Sequence, residues 1–347
     1  MRLAQTIRQP SAIQDCDSAQ ALSASFDESV VGYHIQQHHN LEAPLSTILS
    51  ALHTLSEQSY ENKALTFGCI IDPTAEAPPA AGSFPADFLT SKRYKALSDG
   101  YRTAYHISRE SRLLGLVDLD RIDHRPLTEN HYYPEWADRL AGASRSGRCG
   151  LALSRQGDIL IFDEGSLRFT YRYGRWQYWN HAHIVNLLLD RAAAQRVPRK
   201  IRRRVIRAIY RAALDVSFRR SGGLFLVLHA RKELHQVVRA GDAINDARRL
   251  SIDTEFDAGL ENATIQSLPR PVLVELASLD GAVVVANSGQ LLAYGAILQP
   301  KRAGKLRGTE GSRTKAAIGA SMYGLAVKIS SDGEIAVYYN GAPFITV

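Results

Sequence analysis

The sequence predicts an α/β protein with a C-terminal mixed β-sheet flanked by helices, preceded by an N-terminal region of α/β and β-meander type. Apolar runs of strand length alternate with stretches of helical periodicity, a pattern typical of sheets covered by helices. Residues 221–229 form a continuous apolar run opened by two glycines, which indicates a strand buried on both faces. Three segments are predicted: a regulatory or sensor domain at 1–145, a meander with a connecting helix at 146–190, and the sheet domain at 191–347.

In the first segment, apolar residues at helical intervals predict a helix over 43–57, and residues 63–72 predict a buried strand. The Pro- and Ala-rich tract at 73–85 predicts a loop. Four strand-like runs follow between Cys149 and Tyr178, separated by Gln-Gly, Glu-Gly and Tyr-Gly pairs that suit tight turns. These runs predict an antiparallel meander.

The last segment is expected to supply a second sheet. A helix is predicted from about Ala182 to Gln195, and Pro198 begins another. The second helix has an apolar face and an arginine face, and the arginines are Arg202, Arg203, Arg207 and Arg211. Runs of β-type sequence are predicted at 234–244, 271–298 and 324–341, and a further helix at 312–324.

Composition limits the class of protein. The 347 residues are 45% hydrophobic and 22% charged, which excludes a disordered or collagen-like chain. No apolar run approaches the roughly 20 residues that cross a bilayer, so a soluble, cytoplasmic protein without a membrane partner is expected. Cys16, Cys69 and Cys149 are far apart, which suggests neither a disulfide framework nor a Cys-rich zinc site.

The charge is unevenly distributed along the chain. The net charge is +7, and the basic residues concentrate at 191–220 and 301–315. This asymmetry favours anionic ligands. The arginine helix is interpreted as a solvated surface, with a nucleic-acid footprint as the alternative.

Two short segments are candidates for a nucleotide site. Residues 308–317 form a Gly- and cation-rich loop that enters a helix, where free backbone N–H groups and the helix dipole attract phosphate. Ser312 and Thr314 add hydroxyl donors, and Arg313 and Lys315 add positive charge. In the second segment, Asp280 is positioned to bind a divalent ion beside a polyphosphate.

These two segments resemble the diadenylate cyclase domain family, the DisA-type nucleotide-binding domain. Members carry Asp-Gly-Ala at a strand start and, further along, Gly-Thr-Arg-His-Arg-Ala-Ala before a helix. Here the first motif is intact at Asp280, Gly281 and Ala282. The second is similar to residues 311–319, with Thr314 in place of His and Lys315 in place of the second Arg. The resemblance covers about residues 198–347.

The resemblance implies a mixed α/β domain that condenses two ATP into cyclic di-AMP with Mg²⁺ or Mn²⁺ and releases pyrophosphate. It implies catalytic roles for Asp280, Arg313 and Lys315, with Asp280 also holding the metal. Nucleotide contacts are implied for Gly281, Ala282, Gly311, Ser312, Arg313, Thr314 and Lys315. Because one domain holds only half of the reacting pair, a homodimer or larger homo-oligomer is implied.

Three departures from the family pattern keep a second interpretation open. Leu279 and Met322 stand where members often place a His and a Glu, and Lys315 lacks the bidentate fork of arginine. The alternative is a catalytically inactive domain that binds a nucleotide or cyclic dinucleotide as a sensor.

Three other groups of residues suit either a functional or an ordinary structural role. His34 and His38 form an i, i+4 pair that can bind zinc, and His39 follows directly. No third ligand is identifiable from the sequence, so the favoured interpretation is surface histidines. A polar loop is the favoured interpretation of a possible hydrolytic metal set, Asp118, Asp120, Asp123 and His124. Core packing is favoured over base stacking for Trp176 and Trp179.

Overall fold

The computed structural model describes residues 25–39, 45–78, 81–85, 92–95, 97–122, 127–192, 197–244, 246, 259–260, 262–301 and 311–347. The chain divides into two compact units, Met1–His181 and Ala182–Val347. Each contains a mixed sheet flanked by helices, which confirms the predicted α/β class. Among the helices of these residues, none is long and apolar enough to cross a membrane.

The first unit is built on an eight-stranded mixed sheet. Its strands are β1 (Ser25–Phe26), β4 (Phe67–Asp72), β5 (Thr103–Ser108), β6 (Leu113–Asp118), β7 (Cys149–Leu153), β8 (Ile159–Asp163), β9 (Ser166–Arg172) and β10 (Arg175–Tyr178). A separate two-stranded ribbon consists of β2 (Ser59–Tyr60) and β3 (Lys63–Ala64). Its helices are α1 (Glu28–His38), α2 (Leu45–Ser56), α3 (Lys92–Lys95) and α4 (Asp138–Ala143). The strand order is β1-β10-β9-β8-β7-β4-β5-β6, with β4 and β5 parallel.

The predicted meander is confirmed, because β7 to β10 pair antiparallel in sequence order. The meander extends the sheet of the preceding strands, since β7 pairs with β4 along its length. The boundary between the two units follows His181, whereas the sequence predicts boundaries at 145 and 190. Pairing between β4 and β7 joins distant parts of the chain, and periodicity carries no information about such pairing.

The core of the first unit lies between its sheet and helices α1 and α2. The apolar positions that predicted α2 are buried, namely Leu45, Ile48, Leu52 and Leu55. Trp176 and Trp179 are each 2% exposed, so base stacking by these rings is excluded and core packing is confirmed. Their indole N–H groups donate to Glu28 and Thr170, respectively.

The second unit has a six-stranded mixed sheet in the order β13-β12-β11-β14-β15-β16. The strands are β11 (Gly223–Leu228), β12 (Ala282–Ala286), β13 (Leu291–Ala296), β14 (Gly324–Ile329), β15 (Ile335–Tyr339) and β16 (Ala342–Thr346). The helices are α5 (His181–Arg191), which begins at the boundary, α6 (Arg199–Arg219), α7 (Leu234–Val237), α8 (Arg270–Ser278) and α9 (Ser312–Ala320).

Strand β11 is buried along its whole length, as its sequence predicts. Leu224, Leu226 and Leu228 pack into a cluster with Ala317 and Ile318 of α9. On the opposite face, Gly223 lies against Val216 of α6 and Ala277 of α8. Helices therefore cover both faces of the central strand, which is parallel to β12 and antiparallel to β14.

Two predicted β-type runs in this unit are wrong over part of their length. Residues 234–237 form the short helix α7, and the following residues contribute only isolated bridges at Val238 and Ala243. Residues 270–278 form α8, whose buried positions are Leu273, Val274, Leu276 and Ala277. That spacing is helical, and proline in the first turn favours a helix start.

A buried ion pair anchors the start of α8 to α6. Arg270 donates from Nε to Asp215 Oδ2 at 2.6 Å and from Nη2 to Asp215 Oδ1 at 2.8 Å. Asp215 is 3% exposed, so the bidentate geometry satisfies a carboxylate that has little access to water. Helix α8 is thereby held where its C-terminal end leads into β12.

The arginines of α6 do not form a uniformly solvated face. Arg202 donates to the backbone carbonyls of Val197, Leu189 and Ala192, which lie around the end of α5. Arg203, Arg207 and Arg211 are half-buried. Ile201, an apolar residue near the start of α6, is 37% exposed, because the apolar face of the helix is buried only from Val205 onward.

The buried His181 predicts a pH dependence of stability in the first unit. Burial, with a smaller effect of Arg168, lowers the pKa of His181 to about 3, while its imidazole bonds to the carbonyl of Leu167 at 2.7 Å. The unfolded chain takes up a proton below about pH 6.5, whereas the folded chain does not. The free energy of unfolding should therefore fall between pH 6.5 and pH 3, by about 2 kcal/mol at pH 5 for this group.

Urea unfolding of the wild type and of His181→Gln at pH 7.5 and pH 5 measures this effect. The variant should lose less stability on acidification than the wild type. Contributions from other histidines cancel in the comparison, so identical losses in the two proteins would refute the assignment.

Candidate functional site

The second unit contains a cleft where the start of β12, the end of β13 and the first turn of α9 meet. Its volume is about 540 Å³, within the range of small-molecule sites. The lining residues are Leu224, Arg239, Asp280, Gly281, Gly295, Ala296, Ile297, Leu298, Ser312, Arg313 and Ala316. The two segments predicted from sequence as a nucleotide site therefore reach one cleft.

The position of Asp280 depends on a close backbone contact between two glycines. Gly281 has φ +110, and a Cβ atom there would lie 2.6 Å from the carbonyl oxygen of Gly295. Only glycine satisfies both conditions. The chain leaving α8 therefore turns sharply against β13 and presents the fully exposed carboxylate of Asp280 at the cleft.

Arg313 projects from the first turn of α9 toward the same place. Its Nη2 lies 3.7 Å from Asp280 Oδ1, and about one third of the side chain is exposed. The guanidinium also lies against the backbone at Gly222, where a Cβ atom would approach Nη1 to 2.6 Å. The glycine pair that opens β11 thus provides space for Arg313 as well as the start of a buried strand.

The amino end of α9 faces the cleft through Ser312. The N-cap is Gly311, which has no side chain to cap the helix. The first intrahelical hydrogen bond runs from the Lys315 N–H to the Gly311 carbonyl. The preceding N–H groups of the first turn have no acceptor within the helix and carry the positive end of its dipole. The amino end of a helix binds anions, and a cationic side chain beside it, here Arg313, strengthens that binding.

Some of the predicted nucleotide-site residues are placed elsewhere. The side chain of Thr314 accepts a hydrogen bond from Lys328 Nζ at 3.2 Å, and Lys315 is exposed on α9. Ala282 is 2% exposed within β12. None of these three is among the residues that line the cleft in the part of the chain that the structure describes. Residues 308–310 of the predicted loop, including Glu310, lie outside the described residues.

Arg239 is a lining residue that the sequence did not indicate. Its Nη2 donates to Asp242 Oδ1 at 2.8 Å, and Asp242 Oδ2 accepts the backbone N–H of Ile297 at 2.8 Å. Asp242 thus holds both a guanidinium and a segment of the cleft wall. The signal in the sequence is an i, i+3 Arg–Asp pair, which is hidden when residues 234–244 are interpreted as a strand.

The cleft combines two guanidinium groups and a helix start with a single carboxylate, Asp280, among its described lining residues. This balance favours an anion. One exposed carboxylate beside a polyphosphate also suits Mg²⁺, which is commonly bound by one or two carboxylates together with phosphate oxygens. The residues present therefore fit a nucleotide with a divalent cation.

The acidic group around residue 120 has ordinary partners. Asp118 lies 3.3 Å from Arg121 Nε, and Asp120 is paired with Arg139. Asp123 and His124 lie outside the described residues.

Comparisons with known proteins give distant structural similarities. No family model matches the chain, and no curated protein matches it. The chain is similar to a hypothetical membrane spanning protein from Bacillus cereus, with 20% identity over 48% of this chain and 75% of that chain and a TM-score of 0.30. It is also similar to a double mutant of DacA from Staphylococcus aureus, with 21% identity over 42% of this chain and 87% of that chain and a TM-score of 0.27. Similarity at this level assigns no function to the chain.

The glycine contact at the cleft predicts different effects for two glycine substitutions. Gly281→Ala should destabilise the second unit by about 2–3 kcal/mol, because the new methyl group meets the Gly295 backbone and φ is positive. Gly311→Ala should cost at most about 1 kcal/mol, since a Cβ there meets nothing within 4 Å and the residue only caps a helix. Urea unfolding measures both. Equal effects would show that the close contact does not constrain the site.

Proposed function

We propose that the second unit binds ATP with Mg²⁺ or Mn²⁺ in the cleft and, facing a second copy of the chain, condenses two ATP into cyclic di-AMP. The observation that carries the proposal is the approach of Asp280 and Arg313, 3.7 Å apart, at the mouth of one cleft. The intact Asp-Gly-Ala motif supplies the reaction type, through the family resemblance of the sequence.

Phosphate binding is assigned to Arg313, Ser312 and the first turn of α9, with Arg239 as a second cation on the cleft wall. A charge-assisted hydrogen bond contributes about 1.5–3 kcal/mol. Three or four such bonds hold a triphosphate in the micromolar range after the cost of ordering. Thr314 and Lys315 do not line the cleft, and helix positions one and two residues beyond Arg313 point to other sides, so no phosphate contact is assigned to them.

Asp280 would hold the divalent cation together with phosphate oxygens, and the cation would neutralise charge at the reacting phosphorus. In the reaction, a 3′-hydroxyl oxygen forms a bond to the α-phosphorus of the opposing ATP. The bond from that phosphorus to the bridging oxygen of pyrophosphate breaks, and the hydroxyl proton passes to solvent. A second, identical step closes the ring.

The reaction needs two clefts that face each other, because each nucleotide supplies both an attacking hydroxyl and a leaving group. The apolar side chains of Leu279 and Ile297 are 45% and 44% exposed beside Asp280 and on the cleft wall. In the proposed dimer, the facing copy would cover these two side chains.

The reaction predicts that Asp280→Asn abolishes synthesis of cyclic di-AMP. Purified full-length protein with ATP and Mn²⁺ should form the product, and the variant should be slower by about 100-fold or more, because the amide binds a divalent cation weakly. Glu334→Gln is the matched control, since it also removes one exposed carboxylate of this unit. Product formation is followed by chromatography and mass spectrometry. Full activity of Asp280→Asn would contradict the proposal.

A catalytically inactive nucleotide sensor is the second candidate function. The observation that favours it is the single carboxylate among the described lining residues, since a site that turns over nucleotide commonly holds its metal with more than one protein ligand. The departures at Leu279, Lys315 and Met322 favour it as well. In this case the cleft binds ATP or a cyclic dinucleotide and leaves it intact.

Binding measurements separate the two candidates. Calorimetry with ATP and with cyclic di-AMP, each with and without Mg²⁺, should show that Arg313→Ala weakens binding by about 10- to 100-fold through loss of charge-assisted bonds. Lys200→Ala is the control, because Lys200 is an exposed cation at the far end of α6. Tight binding of cyclic di-AMP without turnover of ATP would establish the sensor. Equal affinities of wild type and Arg313→Ala would exclude this cleft for both functions.

A further inference from the structure

The first unit contains a cluster of metal-ligating side chains that the proposed function does not use. His38 is the last residue of α1, His39 follows it, and Asp163 is the last residue of β8. One ligand atom from each of the three lies within 4.8 Å of the others. The third ligand that the sequence did not reveal beside the histidines is therefore Asp163, which the sheet brings to the end of α1.

The distances within this cluster are close to those of a tetrahedral metal site. His38 Nδ1 and His39 Nε2 are 3.4 Å apart, and Asp163 Oδ1 is 3.4 Å from His39 Nε2. Asp163 Oδ2 is 3.8 Å from His38 Nδ1. Ligand atoms bound tetrahedrally at about 2.0–2.1 Å lie about 3.4 Å from one another. The three side chains are therefore close enough to converge on one ion after small side-chain adjustments.

The outer contacts set His39 in the tautomer that a metal requires. Its Nδ1 lies 2.8 Å from the carbonyl oxygen of Gly147 and donates to it, so Nε2 presents its lone pair to the cluster. The N–H of Gly147 in turn donates to Glu164 Oε1 at 3.1 Å. A histidine ligand whose other nitrogen donates to a backbone carbonyl is the usual arrangement in zinc sites.

Asp163 supplies an independent sign of a missing ligand. The residue is 8% exposed, and its Oδ1 is buried without a hydrogen bond to any residue of the described part of the chain. The other oxygen, Oδ2, lies 4.0 Å from Arg168 Nε. A buried carboxylate oxygen left without a donor is costly unless a cation binds it.

We propose that His38, His39 and Asp163 form a site for a divalent transition metal, best matched by Zn²⁺, with the fourth coordination position open to water. Two imidazoles and one carboxylate are a ligand set that zinc uses when it keeps one open position. The His38 side chain is 51% exposed while His39 is 1% exposed, so the open position lies on the side of His38. Metal enters from that side without opening the core.

The site is tested by metal binding to the full-length protein in the absence of nucleotide. Equilibrium dialysis should show one bound Zn²⁺ per chain, and Co²⁺ should give the visible absorption of tetrahedral coordination. His38→Asn should weaken Zn²⁺ binding by at least about 100-fold, because one of three ligands is lost. His38 is half-exposed, so this substitution tests the site without disturbing the core. Asp163→Asn would change a buried residue and is less suitable.

Two further histidine substitutions test whether binding depends on these three ligands rather than on nearby or surface histidines. His34 stacks on His38 with ring centroids 6.1 Å apart but is not one of the three ligands, so His34→Asn should retain binding. His235→Asn, an exposed histidine of the second unit, should retain it as well. No Zn²⁺ bound by the wild type would overturn the proposal in favour of a structural His39–Asp163 pair. Equal losses in His34→Asn and His38→Asn would overturn it in favour of binding by the His34–His38 pair.

Discussion

The contact between the backbones of Gly281 and Gly295 determines where the carboxylate of the cleft lies. Because Gly281 turns tightly against β13, the residue before it lies just ahead of β12, at the mouth of the cleft. Arg313 reaches the same point across Gly222, which opens the central strand. The missing side chains of three glycines thus create both the approach of the two charged groups and the space between them.

Two ion pairs of the second unit, Arg270–Asp215 and Arg313–Asp280, differ in burial and therefore in their contribution to stability. Arg270 and Asp215 form a buried bidentate pair whose separation would leave a charge away from water, so this pair belongs to the framework. Arg313 and Asp280 are 3.7 Å apart, and Asp280 is fully exposed. An exposed pair adds little stability and separates readily. In the proposed function, Arg313 would therefore bind a phosphate and Asp280 a cation, and the separation of this pair would leave the fold intact.

Patterns within short stretches of sequence predict many of the helices and strands, but they predict fewer of the residues in the cleft and in the His38, His39 and Asp163 cluster. The buried strand β11, the meander and the helix α9 follow from patterns within short stretches of chain, since burial on one or both faces leaves a regular trace. Residues 271–278 show where this fails, because a short apolar run in Val and Leu suits a strand or a buried helix equally until packing decides. Asp280 and Arg313 were predictable because a motif connects them. Arg239 and Asp163 were not, because the i, i+3 pair of Arg239 with Asp242 lies in a run that resembles a strand, and Asp163 reaches His39 only through the packing of distant parts of the chain.

The two sites differ in ligand chemistry in a way that would sort metals between the units. Among its described lining residues the cleft offers one carboxylate, and in the proposed function it would rely on the phosphate oxygens of the nucleotide, which suits a hard cation such as Mg²⁺ that keeps several waters. The cluster of the first unit offers two imidazole nitrogens at fixed positions, which favour zinc over magnesium. Zinc bound at His38 would use none of the residues that line the cleft. ATP with Mg²⁺ would not bind at Asp163, because no phosphate-binding helix start lies among the three ligands there. Occupancy of one site can therefore be measured without filling the other, so the two proposals stand or fall separately.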